Sequence, residues 1–450
     1  MNYRLDAIRE CFEGVIPAML ATIDLHGVPN VALLSQVQFV DTARIALSYQ
    51  FFNKTRQNIL RNPQATLLIT NPLTATQYRL FLRFSHTETS GRIFEEMKAK
   101  LAGIASHTGM SGVFRLLGSD IFEVLGIEPV AGTPLVAAPS CNLLAMLRLC
   151  ARRLAVCRDL EHLLAETLDC LHEYLDIHHA MLLMTDVARD RLYAVASRGY
   201  EESGVGSEIP FGSGVIGVAA RERTPIRIGH MNAEYTYGRT IKQNTEPGDD
   251  AAMPEPEIPL PGLAESRSQC AVPIIAGQKL LGVLYVESPQ DLRFGYDDED
   301  ALVILCVQIG QAIAALQNAA EETDEVVQKS AVRVSGVPQG VPMVVRYFAE
   351  NDSIFIGDEY LIKGVAGSIF WVLLRDYAEK GRVAFSNREL RLDARIRLPD
   401  ISDNLEARLI LLARRLSERG HGMRIEKTGR GRFQLNVTRP LQLVDVGACS

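Results

Sequence analysis

The chain has no pair of cysteines in C-x-x-C spacing, no zinc-ligand spacing and no Walker-type phosphate loop. These absences argue against an iron–sulfur centre, a zinc finger or P-loop nucleotide chemistry. It also shows no paired acid–base or nucleophile constellation, so an enzyme is not the first expectation. The opening "MNYRLDAIRECFEG" is amphipathic and charged, without the basic and apolar regions of a secretion signal. No apolar run approaches the roughly 18 residues a spanning helix needs. A cytoplasmic protein without membrane contact is therefore expected. In that setting the eight cysteines read as reduced thiols rather than a disulfide framework. Cys141, Cys150, Cys157 and Cys170 bunch together, the last three on one helical pattern, as buried small apolar side chains do.

What is present is an ordinary globular composition, 47% hydrophobic and 22% charged, spread over 450 residues. That length exceeds one core and fits about three domains. The formal charge of −7 is uneven: Met343 to Pro440 carry 18 Lys and Arg against 13 Asp and Glu, a surplus of +5. A basic segment on an acidic body is the asymmetry of a domain that meets a polyanion. Two stretches rich in Pro, Gly and Ala, "EPVAGTPLVAAPS" and the end of "NAAEETDEVVQKSAVRVSGVPQGVP", mark linkers at 129–140 and 319–342. The expected domains are 1–128, 141–318 and 343–440, with a tail at 441–450.

In the first domain, "PAMLATIDLHGVPNVALLSQVQFV" reads as a hairpin turning at Gly27. "RIALSYQ" and "ATLLITNP" are strands, separated by a short helix "NKTRQNILRNP" that opens at Asn53 and stops at Pro63. A long strand, a helix and a closing strand "SDIFEVLGIEP" follow. This order, with "LSYQFFNKTRQNILRNPQATLLI", resembles the pyridoxamine-phosphate-oxidase-like split β-barrel family, which often binds FMN. The resemblance implies that Ser48, Lys54, Thr55 and Asn58 hold a flavin phosphate, with Arg79 or Arg83 adding charge. An anion at a helix start is favoured by free N–H groups and the helix dipole. Haem, bound by some relatives, would fall to His86. Alternatively the barrel is a cofactor-free dimerisation or ligand-sensing module.

The second domain opens with the leucine-rich stretch "LLAMLRLCARRLAVCRDLEHLLAETLDCLHEYLD", expected as one long helix. Further on come "GSGVIGVA", "VPIIAGQKLLGVLYVES" and "FGYDDEDALVILCVQI". Their order and spacing resemble a GAF domain. That implies a six-stranded antiparallel sheet with flanking helices, cupping a small ligand beneath a variable loop at residues 230–269. The N-K-F-D-E set of cyclic-nucleotide-binding members is missing, as is a convincing chromophore cysteine. Cys270 begins a core strand and reads as packing.

In the third domain a hairpin "SIFIGDEYLIKG" precedes an amphipathic helix ended by Gly381. Ser386 and Glu389 then form a capping box, and Asp403 with Glu406 has the same spacing ahead of a third helix. Leu405, Leu409, Leu412 and Leu416 share one face of that helix. The ensuing "MRIEKTGRGRFQL" is a basic hairpin around Gly429 and Gly431. This arrangement resembles the winged helix-turn-helix domain of OmpR-type regulators. The resemblance implies DNA contacts by Arg408, Arg414, Arg415 and Arg419 on the helix, and by Lys427, Thr428, Arg430 and Arg432 on the wing. Ile410 and Leu411 stand where polar or basic side chains usually meet bases; they would either read thymine methyls or bury against another domain.

The chain thus reads as multidomain α+β: an N-terminal split barrel, a central GAF domain and a C-terminal winged helix. The expected function is a homodimeric one-component transcription regulator that senses a small molecule, flavin redox state or gas and binds DNA. The alternatives are a flavin-dependent oxidoreductase regulated by its other domains, and a protein-interaction scaffold.

Overall fold

Apolar side chains alternate with polar ones in seven short runs at the start of the chain, and each run pairs antiparallel with its neighbours. In the computed structural model these strands are β1 (Ala18–Ile23), β2 (Pro29–Leu34), β3 (Val37–Phe39), β4 (Arg44–Tyr49), β5 (Gln64–Thr70), β6 (Gln77–Glu88) and β7 (Gly118–Pro129). Residues 4–12, 16–34, 36–49, 53–107, 116–136, 141–229, 258–323, 340–396, 404–420, 422–429 and 431–446 are described. The sheet order is β2-β1-β5-β6-β7-β4-β3. The β1–β2 hairpin closes because Asp24 Oδ1 accepts from the N–H groups of His26 and Val28, both at 2.9 Å, while Gly27 takes φ +79°. Helix α1 (Asn53–Arg61) joins β4 to β5, and α2 (Arg92–His107) joins β6 to β7. A 3-10 helix, Leu5–Phe12, plugs the barrel with Leu5, Ile8, Cys11 and Phe12.

The leucine-rich stretch expected as one helix is two: α3 (Leu143–Leu154) and α4 (Leu160–Leu175). Asp159 breaks it, because its carboxylate accepts from the His162 N–H at 2.9 Å and caps a new helix start. The two helices fold against each other and bury Cys150 and Cys170 side by side. A six-stranded antiparallel sheet follows, in the order β10-β9-β8-β13-β12-β11. Its strands are β8 (His179–Asp186), β9 (Arg191–Arg198), β10 (Glu208–Pro210), β11 (Ile226–Ile228), β12 (Ser268–Ala276) and β13 (Lys279–Ser288). Helix α5 (Gly214–Glu222) covers one face, while α3, α4 and α6 (Tyr296–Thr323) cover the other. Within α6, Tyr296–Gln317 is long and apolar enough to cross a membrane, with mean hydropathy 1.6, which corrects the expectation that no such segment exists. Its Leu302, Leu305, Cys306 and Ile309 are buried against the sheet.

The last segment comprises β14 (Met343–Phe348), β15 (Ser353–Ile356), β16 (Glu359–Ile362), α7 (Gly364–Lys380), β17 (Ala384–Ser386), α8 (Asn387–Leu392) and α9 (Leu405–Arg419), followed by β18 (Met423–Gly429), β19 (Arg432–Val437) and β20 (Leu441–Asp445). Gly381 ends α7 at φ +62°, and the Ser386–Glu389 capping box is formed. The cap of α9 is Asn404, whose Oδ1 accepts from the Ala407 N–H at 3.1 Å; the expected Asp403 lies outside the described residues. Residues 441–445 are no tail. They add β20 in parallel to β14, from Met343↔Leu441 to Tyr347↔Asp445, and complete a four-stranded sheet.

Residues 137–140 and 324–339 of the expected linkers lie outside the described residues, but the three parts pack on one another. The apolar cores of the central and last segments form one continuous cluster. Tyr296 of α6 inserts into the barrel core.

Candidate functional site

In the barrel, Ser48 lies on β4 and Lys54, Thr55 and Asn58 on α1, while residues 50–52 between them lie outside the described residues. Ser48, Thr55 and Asn58 are all buried, and each has its own internal partner. The Ser48 hydroxyl donates to the Gln36 carbonyl at 3.5 Å, Thr55 Oγ1 accepts from Asn30 at 2.9 Å, and the Asn58 amide donates to Thr22 at 3.1 Å. Arg79 lies on the far strand against Glu128, and Arg83 pairs with Glu123. Lys54, exposed in the first turn of α1, forms no ion pair with any described residue. Among the described residues, the short polar side chains of this set are thus engaged within the barrel, with Lys54 the exposed cation beside them. His86 is half exposed, with Ser85 at 3.0 Å from Nδ1 and Glu88 at 3.5 Å from Nε2, which does not fit a haem ligand. A neighbouring feature went unread in the sequence: Arg56 lies 4.0 Å over the Tyr49 ring and bonds both Asp120 (2.6 Å) and Thr87 (3.0 Å).

On the central sheet, the period of two sends Met181, Leu183, Val283 and Tyr285 to the face under α5. The same alternation carries a carboxylate inward at the end of β13. Glu287 is 2% exposed, with Gln269 and His179 in register on either side. Its Oε1 accepts from the Leu263 N–H at 3.1 Å and its Oε2 from the Tyr285 hydroxyl at 3.3 Å. Among the described residues no Lys or Arg pairs with it. Tyr200 is partly buried beside it, and its ionisation is pushed far up, first by desolvation and then by the Glu287 charge. The His179 ring lies 5.7 Å from that of Tyr200, and burial holds its pKa below the ordinary value. A desolvated carboxylate served only by neutral donors and edged by aromatic rings suits a small ligand that brings N–H donors or positive charge. The signal was present in "LYVES", where an acidic residue occupies an inward position of a strand.

Residues 159–313 match the family model described as GAF domain. Residues 5–120 match the one described as Pyridoxamine 5'-phosphate oxidase. The chain carries a GAF domain behind a split barrel. Among solved structures, the GAF domain of an Acinetobacter phosphoenolpyruvate-protein phosphotransferase is 21% identical (TM-score 0.31), covering 40% of this chain and 97% of that one. Free methionine-R-sulfoxide reductase from Neisseria meningitidis is 22% identical (TM-score 0.31), covering 40% and 96%. An FMN-binding protein from Syntrophomonas wolfei is 19% identical (TM-score 0.23), covering 28% and 90%. No curated protein matches the chain.

The two family matches end at residues 120 and 313, and the expected DNA-contacting residues lie beyond both. Two of the four α9 arginines, Arg408 and Arg414, bond the GAF domain. Arg408 is 3% exposed; its guanidinium meets Asp186 at 2.9 Å and lies 4.0 Å over the Tyr193 ring. Arg414 donates to the Val195 carbonyl at 2.8 Å, and Arg415 to the Leu361 carbonyl at 3.0 Å. Burial lowers the pKa of both guanidinium groups. Ile410 and Leu411 are buried too, Leu411 against Gly206 of the GAF domain. On the hairpin, Lys427 reaches Asp159 (2.9 Å) and Glu406 (3.6 Å). Arg419, Thr428 and Arg432 are exposed, and Arg430 lies outside the described residues.

Proposed function

We propose that the protein is a cytoplasmic, ligand-responsive regulator in which the GAF domain holds a DNA-binding C-terminal segment in a masked state. The observation that carries this reading is the buried Arg408–Asp186 bridge over Tyr193. A cationic helix face of the kind a nucleic acid recruits is instead neutralised by the sensor domain. Helix, hairpin glycines and basic tip follow the order of a winged helix, and release from the GAF surface would bare Arg408 and Arg414 beside Arg419 and Arg432. A small molecule received at the Glu287 end of the GAF sheet is the input. The alternative of a flavin-dependent oxidoreductase is favoured by the family match of the barrel; among the described residues, the internal hydrogen bonds of Ser48, Thr55 and Asn58 count against it.

The test compares duplex-DNA binding by the wild-type chain and by Asp186→Lys, which sets a like charge against Arg408. The variant should bind at least about tenfold more tightly, with log K falling by about 0.9 per phosphate contacted as log salt rises. Adding Arg414→Ala should reduce the gain. Failure of both forms to bind DNA at low salt sinks the reading.

A homodimer belongs to the same proposal. On the outer barrel face Met19 stands opposite Leu33 and Ala21 opposite Val31, with Val31 and Leu33 each 64% exposed. An apolar strip of this kind marks an interface. Wild type should sediment as a dimer and Val31→Glu/Leu33→Glu as a folded monomer; a variant that stays dimeric rules this face out.

A further inference from the structure

The GAF sheet has a second end. Glu287 stands in register with His179 at the start of β8, whereas Met184 and Thr185 lie at its finish. There, a cleft of 930 Å³ opens between the β12–β13 turn, the end of α5, the end of α6 and the capping residue of α9. Its volume lies within the range of small-molecule sites. The floor is apolar, formed by Met184, Phe211, Ala220, Leu280 and Leu281. Three cations line it, Arg221, Arg223 and Lys279, and no Asp or Glu does so among the described residues. Thr185 is not free to select a ligand, since its hydroxyl serves the Leu280 and Leu281 carbonyls at 3.2 Å each.

The cations are placed rather than merely exposed. Arg223 sits at φ +53°, a left-handed conformation that ends α5, and donates to the Gln278 carbonyl at 2.8 Å. That bond ties the end of α5 to the β12–β13 turn and leaves the guanidinium's other donors for an acceptor. Arg221 pairs with the adjacent Glu222 at 2.8 Å, a solvent-facing contact that an incoming anion can replace at little cost. Across the cleft, Asn404 is buried and caps α9.

We propose that this cleft takes an amphipathic organic anion, an alkyl body with one carboxylate or phosphate head. The apolar floor receives the body, and Arg221, Arg223 and Lys279 receive the head. Because Asn404 closes one side, the bound molecule touches both the GAF domain and the start of α9, and so adds to the docking of the C-terminal segment. The cleft lies apart from the Glu287 end, and the proposal does not rest on the DNA-binding reading.

Decanoate, decanol and decyltrimethylammonium distinguish the chemistry when titrated calorimetrically into the full chain. Decanoate should bind once per chain. Decanol should bind about tenfold more weakly, the loss expected for charge-assisted hydrogen bonds, and the cation weaker still. Arg223→Gln with Lys279→Gln should weaken decanoate about tenfold and leave decanol unchanged. Ala188→Trp, at an exposed lining position, should block both without touching the core. Equal affinity for decanoate and decanol, decanoate binding that survives Ala188→Trp, or no saturable decanoate binding would each overturn the proposal.

Discussion

Asp186→Ala is expected to remove about 3–5 kcal/mol from the docking of the C-terminal segment on the GAF domain. The side chains of Asp186 and Arg408 are 6% and 4% exposed, so neither charge can turn to water when its partner is deleted. The loss comes mainly from the guanidinium left behind in a dry site over the Tyr193 ring without the carboxylate that faced it. The paired variant Asp186→Leu/Arg408→Met should therefore cost far less than Asp186→Ala, because it removes both charges and keeps the volume. Hydrogen exchange of α9 and β9 amides reads this directly. Equal loss of protection in the single and paired variants would show that the bridge is only a passenger on the apolar contact of Leu411 with the GAF surface.

This bridge also marks where sequence reading stopped. The barrel hairpin, the Ser386–Glu389 cap and the Gly381 helix end were legible, because each rests on turn or cap chemistry within a few residues. The six-stranded sheet was legible only through the resemblance of "GSGVIGVA", "VPIIAGQKLLGVLYVES" and "FGYDDEDALVILCVQI" to a GAF domain. Three things were not. The break at Asp159 was hidden because leucine spacing continues across it, and only a capping carboxylate betrays the new start. The strand at 441–445 was hidden because its partner is β14, at the other end of the segment. Above all, a row of arginines on a helix looks the same whether it awaits water, phosphate or a distant carboxylate. Ile410 and Leu411 were the clue: an apolar pair beside those arginines means that the second face of α9 is buried as well, and the structure buries both against neighbouring elements. The short polar side chains expected around a phosphate in the barrel are ambiguous for a related reason, since near a helix start they bond equally well to their own barrel.

At the other junction, Tyr296→Ala is expected to cost about 3–5 kcal/mol, the usual loss for a buried aromatic ring. Tyr296 belongs to the GAF helix α6 but packs into the barrel core, and its hydroxyl donates to the Phe12 carbonyl at 3.3 Å. Arg9, Arg227 and Lys100 lie 4.8, 4.6 and 5.9 Å from its ring centre. Glu299 balances them through Arg227 at 2.8 Å. Burial alone would raise the Glu299 pKa, but Lys100, Arg227 and Arg9 outweigh it and hold the carboxyl below its ordinary value of 4.5. A carboxyl depressed on folding contributes stability that is complete above its unfolded value and is lost as pH falls through the folded one. The junction should therefore hold through neutral pH and weaken only below about 4.5. Tyr296→Phe, which keeps the ring for the cations, should lose only about 1 kcal/mol. Glu299→Gln should loosen the junction at neutral pH and flatten its acid-side step, because the charge that attracts Lys100, Arg227 and Arg9 is gone at every pH. Amide exchange in Leu5–Phe12, followed from pH 7 to 4, measures all three. Protection unchanged in Tyr296→Ala would mean that the barrel is held by its own core alone and that α6 passes no signal to it.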